Sequence, residues 1–363
     1  MRKATLLIIT TLSLIITIPS SSAQKQNLPS AAGREASEDD VVRVNITLVT
    51  VPVSVKDRGG KLIPNLRRED FHLYEDGVEQ EIAYFEPPDG SDVARSDGAR
   101  PEPRGRPVTV ALLLDVSDST QFKLQQIQDA ANAFIDLLHR DDRVMVIAFD
   151  KRVQVLTEAT SDRGALHEAV SRARTGGGTS LYSALDAVLN YRLNRIAGRK
   201  AIVLLTDGVD TASLGATYES TVRAAEESDA VIYPVQYNTY GDFADNPSRQ
   251  TYSADGFSIT AHMTKNGEPA SEAYKRATLY LRLLVQKTGG HFQYCDNAKN
   301  LSLSFARIAS DLRQQYTLGY YPKNRTTNGL KRQIKVKVGL PKVTVNARES
   351  YVYRTPAGAV NNQ

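Results

Sequence analysis

Between residues 107 and 313 the sequence alternates continuous apolar runs with segments spaced like amphipathic helices. Residues 108–114 read VTVALLL, which is typical of a strand buried on both faces of a parallel sheet. Apolar side chains between residues 122 and 138 recur at steps of three and four, which predicts a helix packed on that sheet. The alternation as a whole predicts an α/β fold with a doubly wound, mostly parallel sheet. Further strands are predicted at 144–149, 201–205, 231–235 and 290–294, and helices at 162–173, 180–195, 218–227, 274–287 and 301–313.

The sequence on either side of this region has the period-two pattern of β-strands. Residues 41–86 alternate apolar and polar side chains, beginning at Val42 and Val44, and residues 314–355 repeat the pattern. Neither segment has enough strands to be stable by itself. We therefore predict that the two segments pair into a small β-sandwich, with an α/β domain of residues 107–313 inserted between them. A polar linker at 87–106 and a tail at 356–363 complete this organisation.

The amino-terminal residues have the pattern of a secretory signal peptide. Arg2 and Lys3 precede a mostly apolar stretch at 6–18, and small residues before position 24 provide a cleavage site. A membrane span is the alternative, but the apolar stretch is shorter than a bilayer requires. The sequence therefore predicts cleavage after residue 23, a disordered linker at 24–40, and export to the periplasm or the outside without an integral membrane segment.

Charge and cysteine content exclude several classes of function. Lys and Arg total 45 and Asp and Glu total 41, and loss of the signal peptide lowers the net charge from +4 to +2. This balance argues against a nucleic-acid partner. Cys295 is the single cysteine, so an internal disulfide and a zinc site built on paired cysteines are both excluded. We predict that Cys295 is a small core residue.

Five oxygen-bearing side chains lie at the ends of predicted strands or on the loops that follow them. The carboxyl ends of parallel strands share one edge of a sheet, which is where α/β proteins bind ligands. Carboxylates and hydroxyls without Cys or His suit a hard cation such as Mg²⁺, Mn²⁺ or Ca²⁺. Each residue alone has a simpler explanation, because Ser and Thr often cap helices and Asp-Gly often forms turns. Their shared position favours a metal site made of Asp115, Ser117, Ser119, Thr179 and Asp207.

The same residues resemble a known family. Asp115 to Ser119 read DVSDS, which is similar to the DxSxS motif of von Willebrand factor type A (VWA) domains and integrin I domains. Thr179 in GGGTS and Asp207 in TDG match the two remaining motif segments in order and spacing. The resemblance implies a VWA/Rossmann-like fold and a metal-ion-dependent adhesion site (MIDAS). It also implies that the first Asp, the two Ser and the Thr surround Mg²⁺ or Mn²⁺, that the second Asp often acts through water, and that a protein partner supplies an acidic ligand.

The flanking sequences resemble those of the VWFA-related domain proteins abundant in Acidobacteria. The resemblance rests on NITLVTVPVSVKDRGGKLIPNLRREDFHLYEDGVEQEI before the α/β domain and QQYTLGYYP after it. Since members of that family are mostly uncharacterised, this resemblance implies an architecture rather than an activity.

Three functions are compatible with these patterns. The first is an exported, non-enzymatic binding or adhesion module that recognises a protein or another acidic ligand through the metal. The second is a metal-dependent hydrolase, although Ser117 stands where phosphatases of the haloacid dehalogenase type need an Asp, and no histidine neighbours the metal segments. The third is a structural component of an envelope assembly, in which the metal only stabilises the fold.

A long polar insertion at 238–271 follows the strand predicted at 231–235. Because it leaves the carboxyl end of that strand, it is predicted to lie on the metal-bearing edge and to shape partner choice. An insertion without a role is the alternative. The candidate aromatic contacts for a partner are Tyr237, Tyr240, Phe243, Tyr252 and Phe257.

Overall fold

The computed structural model describes residues 48–88, 106–237, 268–296, 298–324, 326 and 329–352. The predicted signal peptide, the linker at 24–40, most of the linker at 87–106, most of the insertion and the tail lie outside these residues. The boundaries predicted for the α/β domain and its flanking segments remain predictions.

In the α/β domain, the described residues form strands and helices in the order that the sequence pattern predicts, with one strand added. The strands are β1 (Val49–Lys56), β2 (Phe71–Glu75), β3 (Val78–Gln80), β4 (Ile82–Glu86), β5 (Val108–Asp115), β6 (Arg143–Phe149), β7 (Val153–Thr160), β8 (Arg199–Thr206), β9 (Val231–Tyr237), β10 (Gln293–Cys295), β11 (Tyr316–Tyr320), β12 (Lys331–Val338), β13 (Thr344–Ala347) and β14 (Ser350–Val352). The α-helices are α1 (Leu124–Leu137), α2 (Arg163–Ser171), α3 (Leu181–Tyr191), α4 (Tyr218–Glu227), α5 (Ala270–Thr288) and α6 (Ala298–Arg313).

Six of these strands form the sheet of the α/β domain, in the order β10-β9-β8-β5-β6-β7. Every neighbouring pair is parallel except β6 and β7, which are antiparallel. Alternate residues of β5 enter opposite cores: Leu112 packs with α1, α2 and α6, and Leu113 packs with α3, α4 and α5. Helices therefore cover both faces of a mostly parallel sheet, and the predicted doubly wound fold is confirmed.

The strand β7 is absent from the sequence-based prediction. Its side chains are mostly half-buried, and its pairing with β6 contains register shifts, so it has neither a continuous apolar run nor a clean alternation. Arginine side chains bind two carbonyl groups of this strand: Arg172 donates to the Leu156 carbonyl, and Arg143 donates to the Ala159 carbonyl. The prediction for α5 also starts too late, since the helix begins at Ala270, inside the predicted insertion.

Strands from both ends of the chain form a two-sheet sandwich. One sheet has the order β13-β1-β11-β4 and the other β14-β12-β2-β3. The strand β1 pairs with β11 and β13, and β2 pairs with β12, so each sheet joins strands from before and after the α/β domain. Inward side chains such as Val51, Leu73 and Leu318 are fully buried between the sheets. The predicted pairing of the terminal segments is confirmed.

None of the helices in the described part of the chain has both the length and the apolar character needed to cross a membrane.

Candidate metal centre

The loop that follows β5 turns its serine side chains back towards the end of the strand. Asp115 is the last residue of β5 and is completely buried. Ser117 donates to Asp115 Oδ1 twice, from its backbone N–H at 3.1 Å and from its hydroxyl at 2.6 Å. The Ser117 carbonyl accepts two hydrogen bonds from Thr120, one from its backbone N–H at 2.9 Å and one from the Thr120 hydroxyl at 2.8 Å. These bonds form the short turn that leads into α1 and hold both serines at the sheet edge.

The end of β8 brings the second carboxylate to the same place. Asp207 is buried, and its Oδ2 accepts a hydrogen bond from the Ser119 hydroxyl at 3.0 Å. Its Oδ1 accepts from the Val209 N–H at 3.0 Å. Thr206 binds the first carboxylate, since its hydroxyl donates to Asp115 Oδ2 at 2.6 Å. Four of the five predicted ligands therefore form one connected group.

The two serine oxygens are arranged as a cation would require. They lie 3.1 Å apart. The Ser117 hydroxyl donates its single proton to Asp115, and the Ser119 hydroxyl donates its proton to Asp207, because charge-assisted bonds to carboxylates are the stronger choice. When both protons are directed to the carboxylates, neither hydroxyl has a proton for the other, and each oxygen keeps a lone pair available to a cation. A hard cation is the partner that satisfies this arrangement, so the residues present fit a divalent metal.

Thr179 lies on a loop that backbone hydrogen bonds join to the loop of the serines. The Gly176 N–H donates to the Val116 carbonyl at 2.9 Å, and Gly176 forms a bridge with Ser117. Thr179 itself is buried, being 5% exposed. Among the described residues, no side-chain hydrogen bond joins Thr179 to the other four, so its role as a ligand remains a prediction.

Asp150 is a buried carboxylate of this edge that the sequence analysis missed. It follows β6, is 3% exposed, and accepts a hydrogen bond from the Arg152 N–H at 2.6 Å. The Ser180 N–H donates to the Asp150 carbonyl at 2.7 Å, next to Thr179. The rule that identified Asp115 also applies to Asp150, since both end a predicted strand.

Gly176 has no room for a side chain. A Cβ atom there would lie 2.0 Å from Asp150 Oδ2. We expect Gly176→Ala to displace either Asp150 or the glycine loop, to lower the free energy of unfolding by about 1–3 kcal/mol, and to weaken Mn²⁺ binding. Gly164→Ala is the matched control, because Gly164 lies in α2 and its Cβ would approach Asp162 Oδ1 no closer than 3.3 Å.

Thermal unfolding and Mn²⁺ titration measure both effects of Gly176→Ala. The control should be neutral or slightly stabilising, since Ala favours a helix. Equal stability and equal Mn²⁺ affinity in Gly176→Ala and wild type would contradict the tight packing against Asp150.

The electrostatics of the centre favour a bound cation. Burial and the negative charge of Asp207 together raise the pKa of Asp115 to about 7, against hydrogen bonds from Ser117 and Thr206 that lower it. A divalent ion would offset both costs by neutralising the two carboxylates. Among the described residues there is no group of three or more His, Cys, Asp or Glu side chains that could hold a metal.

Residues of the strand β9 and the helix α5 also bind Asp207. The Gln236 side-chain amide donates to the Asp207 carbonyl at 2.8 Å, and the Tyr274 hydroxyl lies 3.4 Å from Asp207 Oδ2. Tyr237 was predicted as a contact for a partner, and this is wrong. It is the last residue of β9 and is 4% exposed, and its pKa is raised by burial and by the charges of Asp115 and Asp207. The other four aromatic candidates lie outside the described residues.

Part of this sequence is similar to known proteins. Residues 110–209 match the family model of the von Willebrand factor type A domain. Over 113 residues the chain is 36% identical to the uncharacterized protein sll0103 of Synechocystis sp., a match that covers 29% of this chain and 26% of that relative. The chain thus spans about a quarter of the length of this curated relative.

Solved structures are similar at low sequence identity. A von Willebrand factor type A protein from Catenulispora acidiphila is 12% identical with a TM-score of 0.43, covering 86% of this chain and 75% of that chain. The vWF domain of the type V pili tip protein Mfa5 from Porphyromonas gingivalis is 14% identical with a TM-score of 0.41, covering 56% and 94%. Proximal thread matrix protein 1 from the mussel byssus, with a zinc-occupied MIDAS motif, is 14% identical with a TM-score of 0.41, covering 59% and 47%.

The family match spans all five predicted ligands, all of β8, all but the first two residues of β5, and the glycine loop between those strands. Residues 110–209 of this chain therefore belong to a von Willebrand factor type A domain.

Proposed function

We propose that this protein is an exported, non-enzymatic binding module that recognises an acidic group of a protein partner through a divalent cation. Asp115, Ser117, Ser119, Thr179 and Asp207 would hold the cation. The observation that carries this proposal is the pair of serine oxygens 3.1 Å apart, whose protons are directed to two buried carboxylates.

Mg²⁺ is the ion that this set of ligands suits best, with Mn²⁺ or Ca²⁺ as substitutes. Two carboxylates neutralise a divalent ion, and neutral hydroxyls add ligands without adding charge. Mg²⁺ usually keeps several waters and binds through one or two carboxylates, which leaves positions for a partner. When bound, the ion would supply a positive charge at which a carboxylate of a partner can replace water.

The positions of the histidines support binding rather than hydrolysis. His72 pairs with Glu79 in the sandwich, His139 and His167 lie near α1 and α2, and His291 pairs with Asp311. None of these described histidines is hydrogen-bonded to a predicted ligand, and a general base is therefore not evident. The signal peptide predicted at residues 1–23 supports export.

Partner capture with and without the metal tests the proposal. Immobilised mature protein is exposed to cell-surface extract of the source organism in Mg²⁺ or in EDTA. We expect a protein to be retained in Mg²⁺, lost in EDTA, and lost in Asp115→Ala. Asp136→Ala is the matched control, because Asp136 is exposed on α1 and pairs with His167 away from the candidate centre.

Two outcomes would contradict this function. Retention of the same protein by Asp115→Ala, or by wild type in EDTA, would show that the partner does not bind through the metal. If EDTA lowers the melting temperature but leaves capture unchanged, the ion has a structural role instead.

A further inference from the structure

The helix α3 begins immediately after Thr179 and Ser180, yet the residue at its N-cap does not cap it. Ser180 makes no side-chain bond to the helix, and its buried hydroxyl oxygen has no hydrogen-bond partner. The first N–H groups of the helix bind the loop that follows Asp207 instead. The Tyr182 N–H donates to Asp210 Oδ1 at 3.1 Å. The Ser183 N–H donates to the Ser213 hydroxyl oxygen at 3.0 Å, so the cap comes from a distant part of the sequence.

The same loop binds both the backbone N–H and the backbone carbonyl of Thr179. The Thr179 N–H donates to the Thr211 hydroxyl oxygen at 2.9 Å. The Thr179 carbonyl accepts from the N–H groups of Thr211 at 2.9 Å and Ala212 at 3.0 Å. With both backbone polar groups bound, the position of Thr179 relative to this loop is fixed.

Internal bonds make the loop rigid. The Ser213 hydroxyl donates to Asp210 Oδ1 at 2.5 Å, and the Ser213 N–H lies 3.3 Å from Asp210 Oδ2. Asp210 is half-buried, and burial raises its pKa against the effect of these hydrogen bonds. A carboxylate at the start of α3 also benefits from the positive end of the helix dipole.

We propose that Asp210, Thr211 and Ser213 form a clamp that positions Thr179 against Asp207 for metal binding. Asp210 is in this account a positioning residue and not a ligand. The inference rests on the proposed function, because it assigns the clamp to the same metal centre. A site held in its binding geometry loses less conformational freedom when the ion binds, so loss of the clamp lowers affinity without removing a ligand.

Mn²⁺ titration of the full mature chain, followed by electron paramagnetic resonance, tests the clamp. Residues that orient metal ligands typically contribute about 10- to 100-fold in metal affinity, and we expect Asp210→Ala to weaken Mn²⁺ binding by about that factor. The matched control is Asp162→Ala. Asp162 caps α2 by accepting from the Ala165 N–H at 3.1 Å, and its loss should leave Mn²⁺ affinity unchanged.

Two further variants separate positioning from folding. Thr211→Val removes only the oxygen that accepts from the Thr179 N–H, at an exposed residue, and should also weaken Mn²⁺ binding. Asp210→Asn keeps one acceptor oxygen and should recover most of the affinity lost in Asp210→Ala.

The outcomes distinguish the clamp from the metal site itself. Suppose that wild type binds Mn²⁺ and that the folded variants Asp210→Ala and Thr211→Val bind it with the same affinity as wild type. The clamp proposal is then wrong, and the proposal of a metal site is retained. If Asp162→Ala loses as much affinity as Asp210→Ala, the effect is one of general helix capping, and the clamp is again wrong. If wild type does not bind Mn²⁺, the proposed function fails and the clamp fails with it.

Discussion

Replacing Asp115 by Asn is expected to stabilise the metal-free protein and to abolish its binding of divalent cations. Asn keeps the shape of the side chain and one acceptor oxygen but removes a buried charge near Asp207. Because burial and that neighbouring charge raise the pKa of Asp115 to about 7, the ionised form destabilises the fold. In EDTA at pH 8, the free energy of unfolding should rise by on the order of 2–4 kcal/mol. Urea unfolding of both proteins in EDTA measures this difference.

The pH dependence of the protein's stability follows from the Asp115 carboxyl group. The pKa of about 7 in the folded protein exceeds the value of about 3.9 for an unfolded chain, so between these values the folded state binds the proton more tightly. The contribution of Asp115 to stability is therefore unchanged below about pH 4, falls as pH rises towards 7, and stays low above it. Metal affinity changes in the opposite direction, since the ion requires the deprotonated carboxylate.

Two results would contradict this account of Asp115. One is an Asp115→Asn variant that is less stable than wild type at pH 8 in EDTA. The other is a variant whose stability still rises in Mg²⁺ as much as that of wild type, since a neutral side chain could not replace the charge.

The second large effect is expected at Glu75, in the core of the sandwich. Glu75 is 2% exposed on β2, and its carboxylate accepts from Arg332 at 2.8 Å, from the Tyr320 hydroxyl at 2.7 Å and from the Tyr351 hydroxyl at 2.6 Å. All three donors lie in strands that follow the α/β domain. Glu75→Ala would leave a buried guanidinium without its carboxylate, so we expect a loss of about 3–5 kcal/mol in the free energy of unfolding.

A neighbouring glutamate provides the control for Glu75→Ala. Glu79 lies on β3, its side chain is 57% exposed, and it pairs with His72 at the surface. Glu79→Ala should change the free energy of unfolding by less than about 0.5 kcal/mol. Urea unfolding compares the two variants. A loss below about 1 kcal/mol in Glu75→Ala would show that this network does not hold the two ends of the chain together.

The strands that present the candidate ligands are predictable because they are buried on both faces. Such strands need apolar residues at every position, and this pattern is visible in β5 and β8 without any knowledge of their neighbours. Asp115 and Asp207 are conspicuous because each interrupts such a run at its end. The pairing of the terminal segments is predictable for a different reason: neither segment has enough strands to form a core alone.

The remaining features depend on contacts that sequence periodicity does not encode. The strand β7 lies at an edge, so its side chains are neither fully buried nor regularly alternating. The clamp joins the loop of residues 210–213 to the start of α3, about thirty residues earlier in the sequence, and its Ser and Thr resemble ordinary loop residues. Tyr237 was misassigned because an aromatic residue suits both the end of a buried strand and a surface that contacts a partner.

Locating Mn²⁺ directly is the measurement that tests the central claim. Crystals of the mature protein grown with Mn²⁺ would be measured at wavelengths on both sides of the manganese absorption edge, and the anomalous difference map would show each bound ion. We predict a peak in contact with the side-chain oxygens of Asp115, Ser117 and Ser119 and adjacent to Asp207. Peaks elsewhere with none at these residues, in crystals where this edge is open to solvent, would contradict the assignment of the metal centre.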